Sequence, residues 1–402
     1  MQINLSTLFL IALLNFTAFA SNKKPAFRLP FKLINNLIII EVRINHSEPL
    51  NFILDTGIKN TLLTNLNNNQ SIIVEDINPV KVLGYGSGDP VEGFLSVDNE
   101  LKIGDLTLQK CSLILIDAIN FSGKFGLTVN GMMGHEIFNR FIVEIDYVQA
   151  QISFFHPSDF SLLFKRSWAK YSLHLIHYKP FVQLEAEFTK HKENLCLMLD
   201  LGASDAIWLI ENEELRLNLK DEPIFYLGSG INGKITGRRA RIQKLNWGNF
   251  CFGGVVVSIP DTFSLNPKLL KDKRNGSIGS EILKRFHTII SFQDSCIYLK
   301  KNHWYKNPFT YNQSCIEVET PVPGLPLYII ADIGEYSPAK SLNLQLGDEI
   351  ISINGQSTVN LSLDQINLIL SGQRNKRIRM KVMSNGVMNK VKFTLADRIK
   401  NL

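Results

Sequence analysis

Two short stretches of this chain carry the residues best suited to chemistry. Asp55-Thr56-Gly57 closes the apolar run Phe52-Ile53-Leu54, and Asp200-Leu201-Gly202 closes Leu197-Met198-Leu199. The two aspartates lie 145 residues apart, and the same offset returns downstream, where Asn130-Gly131-Met132-Met133-Gly134 matches Asn275-Gly276-Ser277-Ile278-Gly279. Over 130–145 and 275–290 there are eight identities in sixteen positions, where unrelated segments would share roughly one. The reading is an internal duplication with one strand-end aspartate per copy. Two carboxylates facing each other cannot both ionise cheaply, so they share one proton. The ionised partner can then take a proton from water while the protonated one donates to a carbonyl oxygen, which is acid–base chemistry for amide hydrolysis without a covalent intermediate. Such a pair titrates as a unit. Gly57 and Gly202 let the two loops approach where a side chain would push the carboxylates apart.

The elements that must position these groups are mostly strands. Leu37 to Ile44, Asn51 to Asp55, Leu106 to Ile116 and Phe141 to Phe155 read as β-structure, separated by Gly, Asn and Asp clusters. Few stretches of the duplicated part sustain a helical period, and the clearest short helical turns are Glu136 to Phe141 and Glu281 to Phe286. Each copy also holds a glycine-rich turn, Gly84-Tyr85-Gly86-Ser87-Gly88 and Tyr226-Leu227-Gly228-Ser229-Gly230. Both are candidate flap tips that close over a substrate and exclude water. The predicted fold class is mainly β: two lobes over 26–160 and 168–305, a Pro- and Asn-rich linker over 306–323, and a small α+β unit over 324–402.

With these motifs the two lobes resemble the aspartic proteases, in the two-lobed pepsin-like arrangement and with the sparse decoration of bacterial retropepsin-like enzymes. The resemblance implies an acid-protease-like β-barrel fold, an aspartic endopeptidase activity, Asp55 and Asp200 as the catalytic dyad, Thr56, Gly57 and Gly202 as its support, and Tyr85, Gly86, Ser87, Gly88, Gly228, Ser229 and Gly230 as flap and substrate-binding residues. It also implies that Gly134 and Gly279 lie on the strands packed beneath the active-site loops. One departure stands out. The family carries Thr or Ser where this chain has Leu201, so half of the hydroxyl lock between the loops is lost. Ile58 and Ala203 also lack a hydroxyl, and fewer donors to the ionised form make a less acidic dyad. A second reading from another class is an exported peptide-binding protein whose catalytic cleft has decayed, with Leu201 as its support.

In the last 80 residues, Leu346-Gly347-Asp348-Glu349-Ile350-Ile351-Ser352-Ile353-Asn354-Gly355, with Ser337-Pro338-Ala339 upstream, resembles a PDZ domain of the bacterial protease type. Ser337 to Lys340 reads as the start of a short helix, Ser362 to Leu370 as a longer one, and Asn385-Gly386 as a hairpin turn. The resemblance implies binding of protein C-termini by strand addition. The expected groove lies between the strand Leu327 to Ala331 and the helix Ser362 to Leu370, with Gly324, Leu325, Pro326 and Leu327 as its carboxylate loop. The expected partners are a peptide or unfolded-protein substrate and protein C-termini.

Bulk properties narrow the classes further. The chain has 402 residues, is 45% hydrophobic and carries a net charge of +6, without the concentrated basic stripe of a nucleic-acid binder. Leu5 to Phe19 is apolar and ends in Ala18-Phe19-Ala20, which reads as a signal peptide over 1–20 and predicts a periplasmic or secreted protein without stable membrane insertion after cleavage. The five cysteines, an odd count that excludes full pairing within the chain, are expected as buried free thiols, with one disulfide left open. Gly228-Ser229-Gly230-Ile231-Asn232-Gly233 fits a dinucleotide fingerprint but no helix follows it. His174 and His177 have no carboxylate at metal-ligand spacing, and Asp205 reads as a solvated loop residue. No cofactor and no metal are expected.

Overall fold

A computed structural model describes residues 24–65, 72–116, 120–160, 167–211, 215–217, 219–265 and 274–402. The signal-peptide reading of 1–20 falls outside them. Long apolar runs build the first lobe. Leu37–Ile44 is buried almost throughout, as befits a strand covered on both faces. Its sheet runs in the order Lys32–Ile34, Leu37–Ile44, Leu50–Leu54, Gly131–Met133, Thr61–Leu63, Leu106–Leu115, Val91–Ile103, Asn78–Val82. Arg43 and Ile44 also pair with Lys102 and Leu101, which folds the sheet back on itself.

The second lobe repeats this order: His174–Ile176, Lys179–Glu187, Lys192–Leu199, Gly276–Ile278, Ile207–Leu209, Phe250–Pro260, Gly233–Trp247, Ile224–Gly230. The corresponding closure pairs Glu185 with Asn246. A six-stranded sheet joins the lobes, with Ile142–Asp146 and Phe286–Ser291 antiparallel at its centre. There Val143 faces Ile290 and Ile145 faces Thr288. The offset of 145 exchanges one pair for the other, so a local two-fold axis runs between these strands.

The third unit has its own core, from Ile316 and Val318 to Leu395. Its sheet order is Ile316–Glu319, Ile329–Ile333, Glu349–Ile353, Arg377–Ser384, Val387–Thr394. Ser362 caps the helix Leu363–Leu370 in a reciprocal box with Gln365. Asn385 and Gly386, at φ 47° and 80°, make the expected hairpin turn. Ser337 to Lys340 forms only a turn, with Lys340 N–H bonded to the Ser337 carbonyl.

Two boundaries need correction. The segment read as linker, 306–323, contains the strand Ile316–Glu319, which pairs with Ile329–Ile333. The unit read as 324–402 gives up its last residues, because Lys400–Asn401 pairs in parallel with Ala240 and Arg241 of the second lobe. The C-terminal end of this unit is therefore anchored on lobe two.

Candidate active site

Each aspartate stands where an interior strand ends. Leu50–Leu54 runs parallel to Gly131–Met133, and Lys192–Leu199 parallel to Gly276–Ile278. The amide of Asp55 donates to the Met133 carbonyl at 2.8 Å, and that of Asp200 to Ile278 at 3.0 Å. Glycine is required beneath each loop. A Cβ on Gly134 would lie 1.7 Å from the Asp55 carbonyl, and one on Gly279 would lie 2.3 Å from that of Asp205.

The two carboxyl groups hydrogen-bond one another. Gly57 N–H donates to Asp55 Oδ1 at 2.6 Å and Gly202 N–H to Asp200 Oδ1 at 3.0 Å. A Cβ on Gly202 would come within 2.5 Å of the Asp55 carboxyl carbon, so that glycine fixes how closely the loops meet. Burial, the neighbouring Asp200 charge and the hydrogen bond to it push the Asp55 pKa up to about 8. Burial also raises that of Asp200, opposed by the positive charge of Arg274 and the Gly202 amide.

Between the two aspartate loops the hydroxyl tie comes from Thr56 on one side only. Its Oγ1 donates to the Leu199 carbonyl at 2.5 Å and accepts from the Leu201 amide at 3.1 Å. Leu201 has no hydroxyl to return, and its side chain is fully buried in the apolar core. Ser280 supplies a further tie, donating from Oγ to the Leu201 carbonyl at 3.1 Å.

Both glycine-rich turns reach the cleft and meet over it. Asn232 N–H donates to the Tyr85 carbonyl at 2.9 Å, and Gly88 N–H to the Asn232 carbonyl at 2.8 Å. The Asn232 side chain accepts from Gly84 N–H and donates to the Asp89 carbonyl. Gly86 and Gly230 are needed here because a Cβ on either would strike the opposite tip's backbone. Tyr85, Gly228, Ser229 and Gly230 line a cavity of about 350 Å³ that also contains Asp55, Asp200, Gly57 and Gly202. Gly86 and Gly88 hold the junction rather than the cavity wall, and Ser87 is an exposed tip residue that does not line it. Four participants were not picked out from the sequence: Asn232, Trp208, Lys179 and Arg274. The last three line the cavity.

Asp205 is not a solvated loop residue. Its carboxylate accepts from Ser258 Oγ at 2.6 Å and Trp208 Nε1 at 3.0 Å, and Arg239 lies at 3.4 Å. His174 and His177 are exposed. Cys251 is exposed too, against the expectation of buried thiols, while Cys111 and Cys296 are buried.

The groove expected in the third unit is also displaced. Ile329–Ile333 is an interior strand, and the helix Leu363–Leu370 packs against the edge strand Ile316–Glu319. Gly324, Leu325, Pro326 and Leu327 do not form the loop ahead of that strand. Instead Gly324 N–H bonds to the Gly126 carbonyl of lobe one at 2.9 Å, and Leu325 is exposed. Peptide addition of the PDZ kind uses an edge strand beside a helix, and the elements so placed here are Ile316–Glu319 and Leu363–Leu370, one strand earlier than the sequence suggested.

Residues 40–137 match the family model described as aspartyl protease, and residues 319–383 match that of the PDZ domain. No curated protein matches the chain. The chain thus joins a mainly β aspartyl-protease-like region to a PDZ domain, which supports a hydrolase of the protease class.

Proposed function

We propose that the chain is an exported aspartic endopeptidase whose Asp55/Asp200 pair activates a water, with the PDZ domain holding substrate. The observation that carries this reading is the hydrogen-bonded pair of carboxyls, one from each lobe, beneath interlocked flaps. With one proton between them, the ionised carboxylate takes a proton from water as its oxygen attacks the peptide carbonyl carbon, and the protonated carboxyl donates to the carbonyl oxygen. Collapse of the tetrahedral adduct breaks the C–N bond as the amine nitrogen is protonated, and the pair ends with one proton again. The flaps exclude bulk water and strengthen each charge interaction in the cleft. The matching strand order of the two lobes supports a duplicated origin, and the apolar stretch at Leu5 to Phe19 supports export.

Tethering draws support from where the groove ends. A peptide added antiparallel to Ile316–Glu319 has its upstream residues at the Glu319 end. There Thr320 N–H bonds to Gly123 at 2.9 Å, and the Asn35 amide bonds to Asp364 at 3.0 Å. Asn35 and Lys124 of the same region line the catalytic cavity. A chain whose C-terminus sits in the groove is thereby led toward the cleft mouth.

The test is cleavage of a diverse peptide mixture by residues 21–402, read by mass spectrometry, beside Asp55→Ala and Asp200→Ala. Comparable loss of at least ~10³-fold in both variants is expected of a shared dyad. Cleavage that survives both would end the dyad reading, and a wild-type chain that cuts nothing yet binds peptides would leave the peptide-binding alternative in its place.

A further inference from the structure

Arg274 is only 5% exposed, and its positive charge acts on the neighbouring Asp200 carboxyl of the dyad. Its Nη1 lies 3.0 Å from Met198 Sδ, its Nη2 donates to the Tyr85 hydroxyl, and its buried Nε has no hydrogen-bond partner. A buried guanidinium satisfied by a thioether and a phenol is under-coordinated, because Arg offers five donors suited to a planar carboxylate.

The rest of the cavity agrees. Among the described residues its lining contains three cations, Lys124, Lys179 and Arg274, and no acid besides the dyad. Lys124 is paired with Glu319 at 3.7 Å, so Lys179 and Arg274 are the cations set against the single negative charge of the half-protonated dyad. The asymmetry between lobes is sharper still. Arg274 precedes Asn275, which accepts from the Cys196 amide, and Val129 precedes Asn130, which accepts from Asn51. Lys179 and Leu37 stand two residues ahead of Phe181 and Ile39, which pair with Met198 and Ile53 on the two aspartate strands. Equivalent positions thus hold Arg and Lys in lobe two, but Val and Leu, in one apolar cluster, in lobe one.

Resting on the protease reading, we propose that Arg274, aided by Lys179, forms a carboxylate-binding subsite on the lobe-two wall. The enzyme then prefers peptides with a carboxylate on one side of the scissile bond and an apolar side chain on the other. Such a carboxylate displaces the Tyr85 hydroxyl from the guanidinium and pairs with its fork.

Matched peptides test this, with Glu exchanged for Gln at each position flanking an apolar residue, each as free acid and C-terminal amide. Wild type is expected to cleave the Glu form at least ~10-fold faster in kcat/KM. Arg274→Gln and Arg274→Met should bring that ratio close to one, Arg274→Lys should keep part of it, and Lys179→Met should lower it independently. Preference that follows the free C-terminal acid instead of the side chain assigns the same subsite to a chain end. Equal rates for all four forms overturn the proposal while leaving the protease reading intact. A wild type that cleaves nothing is judged by calorimetry on Asp55→Asn. Tighter binding of the acidic peptide, lost with Arg274→Gln, sustains the subsite without the protease, and equal binding of Glu and Gln forms removes it.

Discussion

A proton held between two buried carboxyls has consequences for stability as well as for chemistry. The folded Asp55 retains its proton up to about 8, whereas the unfolded residue releases it near its ordinary value of ~4. Between those limits the folded state binds more protons than the unfolded one, so this contribution is fully present below about pH 4 and is lost as pH rises through about 8. Asp55→Asn should therefore flatten the fall of Tm between pH 5 and 8 and raise Tm at pH 7, while abolishing cleavage. An unchanged slope in that variant would show that the pair is not protonated in the fold. Activity should extend to neutral pH and decline above about 8, and a pH–rate profile confined to strongly acid conditions contradicts this. Gly202→Ala is expected to cost more than its single methyl suggests, since that carbon has no room beside the Asp55 carboxyl. At this scale much was legible: the aspartates and the glycines showed in the spacing, and Leu201 stood out against the family that the motifs resemble. Arg274 and Lys179 did not, because a cation before a strand has no local signature and acquires meaning only when the opposite lobe supplies Val129 and Leu37.

Among the elements, the flaps are the part whose movement the chemistry requires. They are closed on one another through Asn232, and parting of that junction widens the way to the dyad. Asn232→Ala removes the side-chain bonds to the Gly84 amide and the Asp89 carbonyl but keeps the backbone ones. Faster hydrogen exchange at 84–89 and a lower kcat/KM with little change in Tm are the expected outcome, because open lids give poorer water exclusion. Protection equal to wild type would mean that the backbone bonds alone hold the closure. Glycine-rich turns revealed where the flaps are. Their contact was hidden, since it links residues about 145 apart. Strands such as Leu37–Ile44 were readable because a covered strand is apolar along its whole length. The four-residue strand Ile316–Glu319 was lost among Asn and Pro, and with it the groove was assigned to the wrong neighbour. Sheet order depends on non-local partners, and only the internal repeat made part of it visible.

Taken as a whole, the molecule holds its PDZ domain against the protease lobes rather than on a free leash. Lys234 in the second flap hairpin bonds to Asp332 at 3.1 Å, and Lys124, over the Tyr226 ring, reaches Glu319 at 3.7 Å. Exposed ion pairs of this kind hold little by themselves. The firmer tie is the returning segment. Lys400 and Asn401 extend the edge of the second lobe's longest strand, Leu402 N–H bonds to the Arg241 carbonyl at 2.8 Å, and Asp397 accepts from Arg241 at 3.1 Å and from Tyr311 at 3.1 Å. Deleting 397–402 removes several hydrogen bonds at ~1 kcal/mol each and exposes a strand edge. The lobes should lose roughly 2–4 kcal/mol by that accounting, and small-angle scattering should report a larger radius of gyration as the PDZ domain swings from its single remaining connection. If the groove guides substrate, the deletion also raises KM for peptides bearing a free C-terminal carboxylate while sparing their amides. A compact, fully active deletion would place the coupling in the flap and turn contacts instead, and a loss shared by acids and amides would assign the segment to the stability of lobe two alone.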